Sequence, residues 1–401
     1  MELRELSIRL RALTVFRPLL SDPVLESLCT YLDCLENTWT QRMVSGYAEL
    51  VSRLYQTDEG DLGQHVLRVV RENENVYIRT IGQGRTPPKY MTQCVMADLE
   101  TLQAAASLTP DQLRAGPGGV SYLPDFGTTK VDLVQDYFQR TAEIGRYGYG
   151  IYASHHMFCL DDGGHIIPVR HPDPIQLDGL IGYERERGLV MDNIRALLAG
   201  RSAANMLLTG DAGTGNSSTV KAAGNALKDE GLRILEVRRD QLRHIPALLD
   251  QLSENPLKFI LFIDDLSFQK GDDNYSALKA VLEGSVSARS GNVIICATSN
   301  RRHIVKEKFS DRDGDDIHRN DTMQETVSLS DRFGLHVTFQ RPVKNDYLTI
   351  VRTLAQRQGI DCPDLDGLAE RFALIRGGRS PRTARQFVDS LAASGACSAG
   401  Q

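Results

Sequence analysis

The residues best suited to chemistry lie in a glycine-rich segment that follows a short apolar run. Residues 210–217 are Gly-Asp-Ala-Gly-Thr-Gly-Asn-Ser. Glycines let several backbone N–H groups converge on one anion, and a helix that begins there adds its dipole. The spacing fits the phosphate-binding template G-x-x-x-x-G-K-[ST] at Gly210, Gly215 and Ser217, but Asn216 stands at the lysine position. The segment therefore predicts a phosphate-binding loop that lacks its usual cation.

A second segment combines an apolar run with two adjacent acids. Residues 259–263 predict a buried strand, which Asp264 and Asp265 follow directly. At the carboxyl end of a parallel strand, such acids face the ligand crevice. We expect Asp264 to hold Mg2+ together with the Ser217 hydroxyl, and Asp265 to orient or activate an attacking water. A buried strand that simply enters an acidic loop is the plainer interpretation of this segment taken alone.

Three more polar residues complete the candidate set. Asn300 ends the apolar run 292–300, where it can contact a phosphate or a water, although an asparagine at a strand end also forms ordinary turns. Arg332 lies in Ser-Asp-Arg-Phe-Gly, and Arg382 follows Ser-Pro in a later segment. A guanidinium is planar and always charged, which suits phosphate, but most arginines are solvated surface residues.

Taken in order, these segments resemble the AAA+ branch of P-loop ATPases. The resemblance implies that 180–184 lies beside the adenine, that Asn300 is the sensor 1 residue, that Arg332 is the arginine finger and that Arg382 is the sensor 2 residue of a helical lid. Residues 168–390 resemble more closely a bacterial AAA+ ATP-binding family of unassigned cellular role. The residues implied to bind the nucleotide are Ile181, Gly182, Gly210, Asp211, Ala212, Gly213, Thr214, Gly215, Asn216, Ser217 and Ser218.

Asn216 is the main departure from that family. A lysine ammonium near 4 Å from a phosphate charge is worth ~4 kcal/mol at an effective dielectric near 20. If about half of this attraction is net, its loss weakens nucleotide binding or transition-state stabilisation by about 30-fold, and by up to roughly 10³ if all of it is. Lys221 is five residues further along the helix and points away. Three hypotheses stay open: a pseudo-ATPase with weak or no binding, slow hydrolysis through backbone contacts, and a designed or incidental change.

The amino-acid composition limits the class of protein that this chain can be. The chain has 41% hydrophobic and 24% charged residues, a net charge of -6 and a pI near 5.9, which favour an ordinary globular protein without a global attraction to nucleic acid. The 7 cysteines form no C-x-x-C pair, so we expect reduced thiols. No apolar run is long enough to cross a bilayer, and charges interrupt the leucines at the N-terminus. We therefore predict a cytoplasmic protein without a membrane partner.

The order of elements predicts the fold class. The chain is predicted to be mostly helical at first, with a hairpin of two strands at 147–160 and 165–169. After the proline-rich segment 170–174, strands alternate with helices, which implies a parallel sheet covered on both faces. From residue 344 only helices are expected. We predict an α/β protein with an AAA+ type parallel-sheet nucleotide-binding domain, a C-terminal helical lid, and a mostly helical N-terminal region with a β-hairpin. The predicted limits are 1–172, 175–343, 344–393 and a tail at 394–401.

Three functions follow as hypotheses. The first is an ATP- and Mg2+-binding AAA+ protein that couples binding, and weak or lost hydrolysis, to a conformational change of a macromolecular partner held by the N-terminal region. The resemblance implies a homo-oligomer, because an arginine finger such as Arg332 reaches a neighbour's nucleotide. The alternatives are an inactive scaffold that binds proteins, and a DNA-remodelling ATPase, which nothing in the charge balance favours. A metal site at His155, His156, His165 and His171 is a weaker interpretation than ordinary hairpin histidines.

Overall fold

The computed structural model describes residues 2–35, 40–115, 122–266, 273–282, 291–300 and 331–394. Contacts divide the chain into two compact units, Met1–Ser154 and His155–Gln401. Among the described residues, no helix combines the length and the apolar character needed to cross a bilayer.

The first unit is helical, as the sequence predicts. Leu6 and Leu10 lie one turn apart on the first helix and are at most 1% exposed, so one face of this helix is buried. Asp22 begins the second helix by accepting hydrogen bonds from the N–H groups of Val24 and Leu25. The helices are α1 Leu3–Arg11, α2 Pro23–Cys34, α3 Thr40–Tyr55, α4 Leu62–Glu72, α5 Val76–Gly82, α6 Lys89–Ala106, α7 Pro110–Arg114, α8 Leu133–Ala142 and α9 Ile144–Tyr147.

The second unit is built on a seven-stranded sheet. The strand order is β2-β1-β4-β5-β6-β3-β7, and only the β1–β2 pair is antiparallel. The strand that precedes the glycine-rich segment, β3, therefore lies between β6 and β7, inside the parallel part. The strands are β1 Met157–Leu160, β2 Ile166–Pro168, β3 Met206–Gly210, β4 Leu232–Glu236, β5 Lys258–Ile263, β6 Val293–Ser299 and β7 Leu335–Phe339.

Both faces of this sheet are buried. Leu208, Phe262 and Cys296 pack with residues of the helices 184–198 and 216–227 in one core cluster. Their neighbours along the strands, such as Leu207 and Leu261, are also at most 1% exposed although they point to the opposite face. Burial on both faces explains the continuous apolar runs of the sequence, and the predicted α/β fold class is confirmed.

The hairpin belongs to this sheet. Met157 of β1 pairs with Ile234 of β4, so the hairpin extends the parallel sheet at its edge. The first strand is shorter than predicted from 147–160, because Gly148 and Gly150 adopt positive φ and a 3-10 turn at Gly150–Ala153 precedes β1. The sequence predicted the hairpin in the N-terminal region and a boundary at 172, whereas the compact units meet at 154. The limits 1–172, 175–343, 344–393 and 394–401 therefore stay a proposal.

Seven helices are described in the second unit. Pro246 lies at the start of the helix Ile245–Ser253, and the residues before it, Arg239–His244, form a 3-10 helix. The last three helices pack on one another around Tyr347, Val351 and Val388 and form the predicted lid. The helices are α10 Glu184–Leu198, α11 Asn216–Leu227, α12 Ile245–Ser253, α13 Asp273–Leu282, α14 Lys344–Arg357, α15 Leu365–Ile375 and α16 Pro381–Ser394.

The cysteines depart from expectation at one position. Cys362 is disulfide-bonded, so the expectation of reduced thiols throughout is wrong there. The free cysteines among the described residues are Cys29, Cys34, Cys94, Cys159 and Cys296.

The close approach of β7 to the end of β3 gives a first prediction. Gly210→Ala should destabilise the second unit by about 1–3 kcal/mol, because a Cβ atom there would lie 2.5 Å from the Phe339 carbonyl oxygen. Gly188→Ala is the control, since a Cβ atom on Gly188 in α10 meets nothing within 4 Å and alanine favours a helix by about 1 kcal/mol. Calorimetry should show a lower Tm for Gly210→Ala only. An unchanged Tm would mean that β7 does not restrict this glycine.

Candidate functional site

The glycine-rich segment forms a compact turn between β3 and α11. Gly213 and Gly215 have φ of 86° and 103°, a region that glycine enters without a steric cost. The Thr214 N–H donates to the Asp211 carbonyl at 3.2 Å, so the loop curls back on itself. Backbone N–H groups and the N-terminus of α11 consequently meet at the carboxyl end of β3, the geometry of an anion-binding loop.

The side chain of Asn216 points into this loop. It is 7% exposed, and its Oδ1 position lies 2.7 Å from Thr214 Oγ1, which is also 2.8 Å from the Asp211 carbonyl oxygen. One hydroxyl carries one hydrogen, and amide oxygen and nitrogen are interchangeable in such an assignment. Both contacts are satisfied when the Thr214 hydroxyl donates to Asp211 and accepts from the Asn216 amide. Asn216 therefore braces the loop and brings no charge to it.

The first acid of the predicted pair lies beside the loop. Asp264 Oδ1 accepts hydrogen bonds from the hydroxyls of Ser217 and Thr298, each at 2.6 Å. Strand β6 separates β5 from β3, so Asp264 reaches Ser217 across the end of the strand that carries Thr298. The sequence predicted that Ser217 and Asp264 act together, and the structure brings them into contact.

The second acid is held by β6 as well. Asp265 has a left-handed φ of 53°, which is unfavourable for a residue other than glycine. Its N–H donates to Thr298 Oγ1 at 2.9 Å, and its Oδ1 accepts from Asn300 Nδ2 at 3.0 Å. The predicted partners Asp265 and Asn300 therefore lie together at the same sheet edge as Ser217.

Thr298 was not among the residues predicted from the sequence. It is 3% exposed, and its one hydroxyl fixes both the Asp264 carboxylate and the Asp265 backbone. Side chains of a strand alternate with a period of two, so Thr298 shares a side with Asn300. The two-residue spacing from Asn300 was the feature of the sequence that could have indicated Thr298 as a site residue.

A cavity of about 650 Å³ joins these groups. Its polar lining comes from the loop and the acids. Its apolar lining comes from Ile181, Tyr183, Phe339, Ile350 and Leu354. The predicted site residues that line this cavity are Ile181, Asp211, Ala212, Gly213, Thr214, Gly215, Asn216, Ser217, Ser218, Asp264, Asp265, Asn300 and Arg382.

Tyr183 belongs to the apolar lining of the cavity. Its ring lies 5.4 Å from that of Phe339, and its hydroxyl donates to the Gln340 carbonyl at 2.5 Å. Burial raises the pKa of the Tyr183 phenol to about 12, so it stays a neutral donor. Gly182 does not line the cavity itself, but its φ of 80° turns the chain between Ile181 and Tyr183, both of which do.

The lid touches the loop directly. The Arg382 N–H, in the first turn of α16, donates to the Gly213 carbonyl at 3.2 Å. Ser380 Oγ accepts from the Thr383 N–H at 3.1 Å and so begins the helix. The first turn of α16 is thereby fixed against the glycine-rich loop.

Gly210 and Arg332 lie outside the cavity lining. Gly210 packs against β7, whereas Arg332 lines another cavity of about 720 Å³ together with Asn205, Val293 and Gly334. These three residues lie at the starts of β3, β6 and β7, the sheet edge opposite the glycine-rich loop. Arg332 therefore lies near the amino ends of the strands, whereas the glycine-rich loop lies at their carboxyl ends.

Two of the histidines, His156 and His165, have partners other than a metal. His156 Nε2 lies 2.8 Å from Asn225 Oδ1, and burial lowers the pKa of His156. His165 Nδ1 lies 3.1 Å from Asp161 Oδ2. Within the described part of the chain, no group of three or more histidines, cysteines or acids could hold a metal. Two further segments, an acidic run at 311–316 that the sequence favours as a solvated insertion and a basic cluster at 301–308 that it favours as a solvent-facing helix start, lie outside the described residues.

The sheet, the loop and the lid together form an α/β fold with a mostly parallel sheet and a C-terminal group of helices, as the sequence predicted. Residues 153–395 match the model of a family described as "Protein of unknown function (DUF815)", and the chain belongs to that family. No curated protein matches it.

Solved structures with a similar fold include a DNA motor and a nucleotide complex. The Thermotoga maritima RuvB Holliday junction branch migration motor has 18% identity and a TM-score of 0.37, over 56% of this chain and 67% of that one. AMPPCP-bound DnaA from Aquifex aeolicus has 16% identity and a TM-score of 0.40, over 56% of this chain and 67% of that one. Similarity at this level carries no argument about the site.

Thr298 gives a prediction that needs no ligand. Thr298→Val keeps the shape but removes both hydrogen bonds of this hydroxyl, to the Asp265 N–H and to the Asp264 carboxylate, which costs about 1–3 kcal/mol of stability. Thr298→Ser keeps the hydroxyl and should restore most of the loss. Calorimetric Tm values of the native chain and both variants provide the measurement. Equal Tm values for the valine and serine variants would contradict the bridging role of this hydroxyl.

Proposed function

We propose that this chain binds ATP with Mg2+ in the 650 Å³ cavity. The observation that carries the proposal is the contact between Ser217 and Asp264 at 2.6 Å, directly beside the curled loop. A hydroxyl and a carboxylate are hard oxygen ligands, and Mg2+ is commonly held by such a pair together with phosphate oxygens. The donor set at this sheet edge therefore fits the metal.

The proposed roles follow the position of each group. Ser217 and Asp264 would hold Mg2+, which neutralises phosphate charge when it is bound. Backbone N–H groups of the loop receive the phosphates, and Ile181 with its neighbours packs on the base. Asp265 accepts a proton from an attacking water or orients it, while Asn300 positions the Asp265 carboxylate through their 3.0 Å hydrogen bond.

Asn216 makes the proposed reaction slow. The loop keeps its shape without lysine, but the ~4 kcal/mol gross attraction of an ammonium for the phosphates is lost. Lys221 does not compensate, because its Nζ lies 3.7 Å from Glu236 Oε2. We therefore propose an ATP-binding protein with weak hydrolysis, in which binding itself changes the conformation of the lid.

Asn216→Lys tests this proposal. Restoring the ammonium should tighten ATP binding or raise turnover by about 30-fold, and by up to roughly 10³ if the whole attraction is realised. Asn216→Gln is the matched control, since it lengthens the side chain without adding charge and should change little. Calorimetry with ATP and Mg2+ and a phosphate-release assay measure the two quantities. No gain for the lysine variant would place the defect elsewhere, and no binding by any of the three chains would favour a nucleotide-independent scaffold.

We further propose that Arg332 acts on the nucleotide of a neighbouring copy in a ring or helical oligomer. Its place at the sheet edge opposite the chain's own loop supports this, because head-to-tail contacts join opposite edges. The N-terminal unit is proposed to hold a macromolecular partner. The cytoplasm remains the proposed location, since ATP is supplied there.

Mixing two inactive chains tests Arg332. In the Asn216→Lys background, Arg332→Ala removes the finger and Asp265→Asn removes the water-orienting acid. Each double variant alone should be inactive, whereas a mixture should recover roughly a quarter of the turnover, because about one interface in four joins an intact site to an intact finger. No recovery, or strictly monomeric chains by light scattering with and without ATP, would contradict the oligomer.

A further inference from the structure

The segment between the hairpin and α10 supplies part of the lining of the 650 Å³ cavity. Residues 173–175 line the cavity near the start of this segment, and residues 179–181 line it near the end. Residues 170–176 belong to no helix or strand. Two of them, Pro172 and Pro174, have no backbone N–H, so the segment cannot hold its shape by a regular pattern of hydrogen bonds. It needs a partner from another element.

Asn225 is such a partner. Its Nδ2 donates to the carbonyl oxygens of Asp173 at 2.9 Å and of Ile175 at 2.7 Å, which uses both hydrogens of the amide. Its Oδ1 lies 2.8 Å from His156 Nε2 and can only accept, so His156 donates there. The His156 carbonyl accepts from the Ile234 N–H of β4 at 2.9 Å. The Asn225 amide is therefore held in one orientation between the sheet and residues 173–175.

The position of Asn225 relates this contact to the glycine-rich loop. Asn225 lies on α11, the helix that begins at the loop, seven residues after Ser218. Residues seven apart on a helix share one face, and Ser218 lines the cavity. One face of a single helix thus carries both the residues next to the loop and the amide that holds residues 173–175.

The other end of the segment is held from the lid. Arg357 of α14 donates to the Asp178 carbonyl at 2.7 Å, and Arg385 of α16 donates to the Gly179 carbonyl at 3.1 Å. Residues 178–179 are thereby tied to the lid helices, whereas residues 173–175 are tied to α11. The two hydrogen bonds donated by Asn225 are what joins residues 173–175 to the helix of the loop.

We propose that Asn225 positions residues 173–175 as a wall of the base site, and so sets the preference of the cavity for a nucleotide over a bare polyphosphate. This inference rests on the proposed binding of ATP. The ring of Pro174 and the side chain of Ile175 cover apolar surface of the base, which favours binding in proportion to the area buried. Asn225 does not touch the nucleotide and acts only through this wall, so it is a positioning residue. The polyphosphate depends on the loop N–H groups and on Mg2+ instead.

Asn225→Asp tests the inference. The carboxylate keeps the shape and the acceptor for His156, but it has no hydrogens for the carbonyls of Asp173 and Ile175 and repels them. Calorimetry measures a non-hydrolysable ATP analogue with Mg2+, and displacement of this analogue by tripolyphosphate, up to millimolar concentrations, measures the bare polyphosphate. Affinity for the analogue should fall by about 5-fold or more, because the base must then order residues 173–175 as it binds. Affinity for tripolyphosphate should change by less than about 2-fold.

Two further variants separate positioning from general damage. Asn225→Ala removes the amide without adding charge and should change the ratio of the two affinities in the same direction, which keeps the test valid if the aspartate variant does not fold. Asn193→Asp is the matched control. Asn193 Nδ2 donates to the Ala204 carbonyl at 2.8 Å, and its Oδ1 accepts from the Ala204 N–H at 2.9 Å, but it does not line the cavity. Its substitution should lower the Tm and leave the ratio unchanged.

The remaining outcomes distinguish the inference from the proposed function. All measurements are repeated in the Asn216→Lys background, so that a weakly binding native loop does not prevent them. An unchanged affinity for the analogue, an equal loss for analogue and tripolyphosphate, or the same change of ratio in Asn193→Asp overturns the role of Asn225 and leaves ATP binding standing. Failure of the chain to bind the analogue in both backgrounds overturns the proposed function itself.

Discussion

The hydrogen bond from Ser217 to Asp264 is the interaction on which the site depends. It joins the first turn of α11 to the end of β5 across β6, at 2.6 Å. Three elements distant in sequence must be in register for it to form: β3 with its loop, β5 with its acids, and β6 with Thr298. Parallel pairing sets that register, because the carboxyl ends of all three strands then meet at one edge.

Because the site depends on the register of parallel strands, part of it could be predicted from the sequence. An apolar run that ends in Asp264 and Asp265, and another that ends in Asn300, predict convergence because both runs are short, buried and separated by helices. The pairing of β1 with β4 was not predictable in the same way, because edge pairing is decided by tertiary contacts rather than by local pattern. Thr298 was missed since a threonine inside a buried strand has an ordinary structural explanation there.

Asn216 shows why loop geometry and loop chemistry must be judged separately. The turn is shaped by Gly213 and Gly215 and by the Thr214 hydrogen bond to Asp211, and none of these needs a lysine. The asparagine amide even adds a brace inside the loop. A chain can therefore keep the shape of an anion-binding loop after its charge has been lost, and the shape alone does not indicate affinity.

The loop offers dipoles and N–H groups, while the acids beside it, Asp264 and Asp265, repel a triphosphate until a metal is present. With no ammonium at position 216, the proposed binding of ATP rests on these N–H groups and on Mg2+. The first turn of α16 bonds the Gly213 carbonyl, so the lid helix and the glycine-rich loop are joined by their backbones. A nucleotide that moves this loop would therefore also move the start of the lid helix, as the proposed function requires.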